Sequence, residues 1–215
     1  IPQSGSYAER VVLPAEHVVP VPHALDLHLA AAALVQGLTA HYLATDAYPI
    51  AAGDWAVVHA AAGGVGLLLT QIVRNRGGRV IATASSGEKR RLATEAGAEL
   101  AVDYSGLAEA IAQATRGTGA AVVYDSVGHD TFEASLAALR RRGTLILFGS
   151  ASGKAPAFDL QRLTVTGSQY VTHAALRNYI DTRATLLGRA AELFEWIIDE
   201  HVRAHIGEVY SLEEA

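Results

Sequence analysis

The run Trp55-Ala-Val-Val-His-Ala-Ala-Ala-Gly-Gly-Val-Gly-Leu-Leu-Leu-Thr-Gln-Ile-Val73 constrains this chain more than any other feature, because it sets a short apolar stretch, a glycine turn and a longer apolar run in immediate succession. Ala56 to Ala60 has the length of a buried strand. The run from Val65 is too long and too little alternating for a strand, so it reads as a helix. A strand that feeds a helix through glycines is the βα turn of dinucleotide-binding folds. Gly63 lets the backbone approach a pyrophosphate with no side chain in between, Gly66 lets the helix pack closely on the strand, and the amides at the helix N-terminus attract the phosphate charge. Ala61 stands where the usual pattern has its first glycine. Glycine turns by themselves are common; the strand and helix at the right places on either side carry the reading.

From Gly53 onward the βα alternation continues. Strands are predicted at 56–60, 79–84, 100–102, 121–126 and 143–148, and helices at 65–75, 86–95, 107–114 and 131–140. Apolar, β-branched strands between amphipathic helices predict an α/β fold with a doubly wound parallel sheet covered on both faces. Leu163 to Val171 reads as a sixth strand, Ala184 to Asp199 as a long amphipathic helix, and Ile206 to Tyr210 as an extended segment leading away. Before the alternation, Tyr7 to Pro14 alternates like a strand, Pro14, Pro20 and Pro22 punctuate a linker, and Leu25 to Tyr48 reads as two helical segments with Gly37 near their junction. The chain begins at Ile1, with no initiator methionine or signal peptide, and is expected to be part of a longer one.

Half of the 215 residues are hydrophobic and 18% are charged. No uninterrupted apolar run approaches the roughly 20 residues of a membrane span, so no membrane partner is expected. The net charge of −5 offers no basic field for nucleic acid, and Lys89-Arg90-Arg91 and Arg140-Arg141-Arg142 read as solvated helix ends. With no cysteine in the chain, disulfides, thiolate nucleophiles and cysteine-ligated zinc are excluded for these residues. His41, His59 and His129 have no partner at metal-ligand spacing and read as packing or surface histidines.

Cofactor choice is written at the end of the second strand, where an acidic residue would bind the free ribose 2′-hydroxyl of NAD. The chain has Ala84-Ser85-Ser86-Gly87-Glu88-Lys89 there. Two hydroxyls and an ammonium suit a 2′-phosphate, which favours NADP, and a capping role for Ser86 is compatible with that. Tyr104, at the end of the third strand, is expected near the adenine side. Ligands of such sheets bind beyond the carboxyl ends of the strands, so Ser126 and the backbone of Phe148, Gly149 and Ser150 are placed for ribose and nicotinamide. Asp125 is expected to order its adjoining loop rather than to act as a catalytic carboxylate.

Four motifs in order, Ala32-Ala-Leu-Val-Gln-Gly-Leu-Thr-Ala-His-Tyr-Leu43, His59-Ala-Ala-Ala-Gly-Gly-Val-Gly-Leu67, Val123-Tyr-Asp-Ser-Val-Gly128 and Gly143-Thr-Leu-Ile-Leu-Phe-Gly149, resemble the quinone oxidoreductase (zeta-crystallin-like) branch of the zinc-independent medium-chain dehydrogenases/reductases. The resemblance implies a six-stranded Rossmann domain over 25–200. It also implies the end of a GroES-like β lobe and a linker over 1–24, and a return toward that lobe over 201–215. Most of the lobe and the extreme C-terminus are then expected to lie outside this chain, whether cleaved, truncated or belonging to a longer sequence of which this is a piece. By the same resemblance, Tyr42, Gly64, Val65, Ser85, Ser86, Lys89, Tyr104, Ser126, Phe148, Gly149 and Ser150 fall on NADPH-contacting positions, and Thr39 lies near the nicotinamide and the substrate cleft. The chemistry implied is metal-free hydride transfer from NADPH to a quinone or related electrophile, with protons from solvent or from a hydroxyl such as Tyr42. Reduction of an α,β-unsaturated carbonyl, or a non-catalytic NADPH-binding role as a structural or RNA-binding protein, stays open. A homodimer through the edge strand near 163–171 is expected, as is a cytoplasmic location.

Overall fold

A computed structural model describes residues 7–214. Six parallel strands form one sheet: β1 (Trp55–Val58), β2 (Arg79–Thr83), β3 (Leu100–Val102), β4 (Ala120–Asp125), β5 (Leu139–Leu147) and β6 (Tyr170–His173). They lie in the order β3-β2-β1-β4-β5-β6. The helices are α1 (Leu27–Tyr42), α2 (Gly64–Asn75), α3 (Gly87–Glu95), α4 (Leu107–Ala114), α5 (Phe132–Ala137), α6 (Arg162–Val165) and α7 (Arg183–Ile198). The strand order reverses between β1 and β4, which opens a crevice beyond their carboxyl ends.

Successive strand residues point to opposite faces, and here both faces are dry. Ala56, Val58, Val80, Ala82, Val122, Tyr124 and Ile146 pack with Leu68, Leu69 and Ile72 of α2 on one side. The alternate residues Val57, Ile81, Val123, Leu145 and Leu147 pack with Leu107, Ile111, Phe132 and Leu136 of α4 and α5 on the other. A satellite core joins α1 to α7 through Ala33, Leu38, Leu193, Phe194 and Ile197. Asp26 caps α1 by accepting from the amides of His28 and Leu29 at 2.9 and 3.1 Å, and Thr182 with Thr185 forms a capping box on α7.

The structure corrects the sequence reading at five places. The two expected N-terminal helices are one, running unbroken through Gly37 and continuing past Tyr42 as a π-helical turn over Leu43–Ala47. Gly37 marks no junction: a Cβ there would sit 2.5 Å from Leu193 Cδ2, so the glycine serves the contact with α7. This merged helix of 21 residues is long and apolar enough to span a membrane, against the expectation from uninterrupted runs, but half of its apolar window is buried against the fold. Tyr7 to Pro14 forms no strand, and Val12 is exposed.

The other two corrections are at the far side of the sheet. The helix expected to reach residue 140 ends at Ala137, and β5 starts at Leu139, because the amide of Ala120 bonds the carbonyl of Ala138 at 2.8 Å and draws that segment into the sheet. Arg140 to Arg142 are therefore strand residues, and Arg140 pairs with Asp54 at 3.4 Å. Finally, the strand expected over 163–171 is mostly not one. Arg162–Val165 makes a helical turn, Gly167 and Ser168 adopt left-handed backbone with φ of 105° and 57°, and β6 begins only at Tyr170. Val165 faces solvent outside the ladder.

Candidate functional site

The expected site residues of the βα core gather at one edge of the sheet, at the carboxyl ends of β1, β2, β3, β4 and β5. The turn after β1 sets the geometry. Ala60 has φ of 49°, a left-handed conformation unusual for a residue with a Cβ. Ladder bonds hold it from both sides: the His59 amide donates to the Tyr124 carbonyl and the Ala61 amide to the Thr83 carbonyl, each at 3.0 Å. Strain kept in place this way is a feature of binding sites. A Cβ on Gly66 would lie 2.6 Å from Ala61 Cα and 2.7 Å from the Ala60 carbonyl oxygen, so only glycine lets α2 start this close to β1.

Gly63 is different. A Cβ there would meet only the Ala60 carbonyl oxygen, at 3.3 Å, and otherwise project into open space in front of the turn. Gly63 caps α2 without a side chain, and the amides of Gly64, Val65 and Gly66 have no backbone acceptor. These are the orphan donors of a helix start, and an anion is their natural partner. The Gln36 side chain from α1 lies against Gly64, where a Cβ would strike it. Sequence reasoning did not pick out Gln36, since nothing local ties a glutamine on one helix to a turn nearly thirty residues on.

At the end of β2, Ser86 accepts from the Lys89 amide at 3.2 Å and caps α3, so the helix start and the expected phosphate contacts coincide. Ser85 and Lys89 are exposed. Arg90, read from the sequence as a solvated helix-end charge, turns back and donates to the Ala84 carbonyl at 3.3 Å, which brings a guanidinium to the strand end. Arg91 instead pairs with Glu95 at 2.5 Å, away from it. The signal that separates them is helical position: Arg90 lies four residues from its cap, on the side facing the strand end.

Asp125 is wholly buried at the end of β4. Its Oδ1 accepts from the amides of Val127 and Gly128 at 2.8 and 2.9 Å, and its Oδ2 from the hydroxyls of Thr131 and Ser135, both at 2.7 Å. This is the loop-ordering role expected for it. The ordered loop abuts the next one: a Cβ on Gly149 would lie 2.6 Å from the Ser126 carbonyl, which accepts from the Ala151 amide at 3.2 Å. Ser126, Phe148, Gly149 and Ser150 are thereby brought together.

Thr39 and Tyr42 lie on α1, and Tyr42 belongs to the core cluster against which Val65 and Phe148 pack. Thr39 donates to the Val35 carbonyl at 2.8 Å, within its own helix. Tyr42 is in the core, stacked on Tyr179 with ring centroids 4.1 Å apart, and burial beside Tyr179 pushes its hydroxyl above the usual tyrosine range. A buried hydroxyl with a raised pKa is a poor proton source. Of the three histidines, His41 is buried 2.7 Å from Glu192, His129 lies exposed beside Asp130, and His59 is buried between two hydroxyls.

Comparison with known proteins agrees with this geometry. The zinc-binding dehydrogenase family model matches residues 64–192. The chain is 44% identical to a probable quinone oxidoreductase of Schizosaccharomyces pombe over 98% of its own length and 64% of that protein's. It is 36% identical to a 2-haloacrylate reductase of a Burkholderia species, covering 100% of this chain and 66% of the relative. A solved mycobacterial structure, described as complexed with NADPH, superposes with a TM-score of 0.93 at 46% identity, covering 98% of this chain and 65% of that one. The chain thus spans just under two thirds of the length of these proteins.

Proposed function

Because the chain belongs to the zinc-binding dehydrogenase family, we propose that its crevice holds NADPH and that the protein is an NADPH-dependent quinone oxidoreductase working without metal. The observation that carries the reading is the set of three amides at Gly64, Val65 and Gly66 without a backbone acceptor, at a turn whose Gly63 faces open space, beside a strand end that carries Lys89 and Arg90 and whose one acid, Glu88, lies in the first turn of α3 rather than at the end of the strand. Such a cradle fits a pyrophosphate and a 2′-phosphate together. When bound, NADPH supplies a hydride. What these residues supply is binding and orientation: the α2 amides for the pyrophosphate, Ser85, Ser86, Lys89 and Arg90 for the 2′-phosphate, Tyr104 beside the adenine, and the loops at Ser126 and Phe148 to Ser150 for the nicotinamide half. With Tyr42 buried, we assign proton delivery to solvent.

The donor set of this chain does not fit the zinc in the family's description. It has no cysteine, and among the described residues no group of three side chains is placed to hold a metal ion. A quinone suits that, since its conjugated carbonyls accept two electrons without a Lewis acid. The full-length protein is therefore expected to keep its NADPH-dependent quinone reduction after chelator treatment; activity that vanishes and returns with zinc would contradict the proposal. The similarity to a 2-haloacrylate reductase keeps a second substrate class in view, activated alkenes, and parallel NADPH oxidation assays with a quinone and a 2-haloacrylate distinguish the two.

Lys89→Ala tests the cofactor reading by itself. Loss of one charge-assisted phosphate contact costs about 1.5–3 kcal/mol, so NADPH binding should weaken roughly 10- to 100-fold with NADH nearly unchanged. Equal losses for both would place Lys89 away from the phosphate. We also propose a homodimer that pairs two copies along the sheet edge at β6 (Tyr170–His173), supported by the exposure of Tyr170 on that edge strand. A monomer by sedimentation at micromolar concentration would refute it.

A further inference from the structure

His59 lies directly before the strained Ala60, wholly inside the protein, and both ring nitrogens have partners. Nδ1 is 2.8 Å from the Thr83 hydroxyl at the end of β2, and Nε2 is 3.0 Å from the Ser135 hydroxyl on α5. Ser135 in turn donates to Asp125 Oδ2 at 2.7 Å. A carboxylate only accepts, so the single Ser135 hydrogen is committed to Asp125, and Ser135 must accept from His59. Nε2 therefore carries the ring hydrogen, and Nδ1, left with a lone pair, accepts from Thr83. Burial pulls the imidazole below its usual pKa, in keeping with a neutral ring. The hydrogen bonds run in one direction from Thr83 through His59 and Ser135 to Asp125.

That chain adds a side-chain link between the two parts of the crevice that lie on either side of β1 and are otherwise joined through its backbone ladder. Thr83 ends the strand that leads into Ser85 and Ser86. Asp125 shapes the loop that carries Ser126 and, through it, the loop of Phe148 to Ser150. One face of the same imidazole stacks on Tyr104, with centroids 5.8 Å apart and planes 13° off parallel. Two hydrogen bonds at opposite corners of the ring fix its plane, and hence the orientation of the Tyr104 platform.

We propose that His59, held as the neutral Nε2–H tautomer, is a positioning residue that sets the adenosine end of the crevice against its nicotinamide end. This rests on the NADPH reading for its functional consequence, though not for the tautomer. The two bonds have different duties. The one to Thr83 holds the 2′-phosphate end and bears on affinity. The one to Ser135 and Asp125 holds the nicotinamide-end loops and bears on turnover.

The test has two arms on the full-length protein. Nitrogen-15 NMR of the histidine rings at neutral pH, without cofactor, should show His59 protonated at Nε2 and bare at Nδ1; an Nδ1–H tautomer or an imidazolium would overturn the proposal whether or not NADPH binds. The second arm is a set of substitutions. His59→Asn keeps an acceptor near Nδ1 and should hold NADPH affinity within about threefold while kcat falls about tenfold or more. His59→Gln keeps a donor near Nε2 and should show the reverse, with KM for NADPH raised about tenfold and kcat largely kept. His59→Phe keeps an aromatic ring to stack on Tyr104 but neither hydrogen bond, and should lose both affinity and turnover. Equal effects of Asn and Gln, or a wild-type Phe variant, would reduce His59 to packing. Wild-type protein that fails to bind NADPH yet shows the Nε2–H ring would defeat the cofactor reading and leave the relay standing.

Discussion

Asp125→Ala is expected to lower the unfolding free energy by about 3–5 kcal/mol, a large share of what holds a domain of this size together. The carboxylate accepts from the amides of Val127 and Gly128 and the hydroxyls of Thr131 and Ser135, all within 2.9 Å in a site closed to water. Removing it strands those donors, each at a cost of about 1–3 kcal/mol, with partial relief from local rearrangement. Urea unfolding of Asp125→Ala and Asp125→Asn beside wild type checks this. The Asn variant keeps one acceptor and should lose less. A loss under about 1 kcal/mol for the Ala variant would show that the loop has other support.

Gly63→Asp should separate binding from stability. Its backbone, with φ of −74° and ψ of 165°, is open to any residue, and the new Cβ would meet only the Ala60 carbonyl. Aspartate is also a better N-cap than glycine and carries a favourable charge for the helix start, so thermal stability should stay level or rise. NADPH binding should nevertheless fall by at least about 100-fold, roughly 2.7 kcal/mol, because the carboxylate would take up the amides of α2 and repel the pyrophosphate. Preserved stability with lost binding is the expected pair of results. Unchanged affinity would move the pyrophosphate away from this turn.

The difference between these two positions also explains what the sequence disclosed. Gly63, Gly66 and the strand-end segments were legible because a βα turn repeats a local pattern, and local pattern places a residue relative to its own strand. Asp125 was legible as a loop former because the residues it binds follow within ten positions. What escaped depends on contacts distant in sequence. Gly37 reads locally as a helix breaker, yet its partner is Leu193 across the α1–α7 contact. Leu163 to Val171 has the composition of a strand, and only the left-handed pair Gly167 and Ser168, with the Arg142 amide bonded to the Gly167 carbonyl at 2.9 Å, turns its first half into a helical turn. Tyr42 entered through a family likeness, which assigns a position but not its exposure. His59 read as a packing histidine because Thr83 and Ser135 lie 24 and 76 residues away.

A dinucleotide crevice built to recognise a 2′-phosphate should tell NADPH from NADH, and calorimetric titration of the full-length protein with both cofactors measures that difference. One NADPH should bind per chain, with NADH weaker by at least about tenfold, since a single charge-assisted contact contributes about 1.5–3 kcal/mol. Equal affinities, or a preference for NADH, would contradict the assignment of Ser85, Ser86, Lys89 and Arg90 to the phosphate.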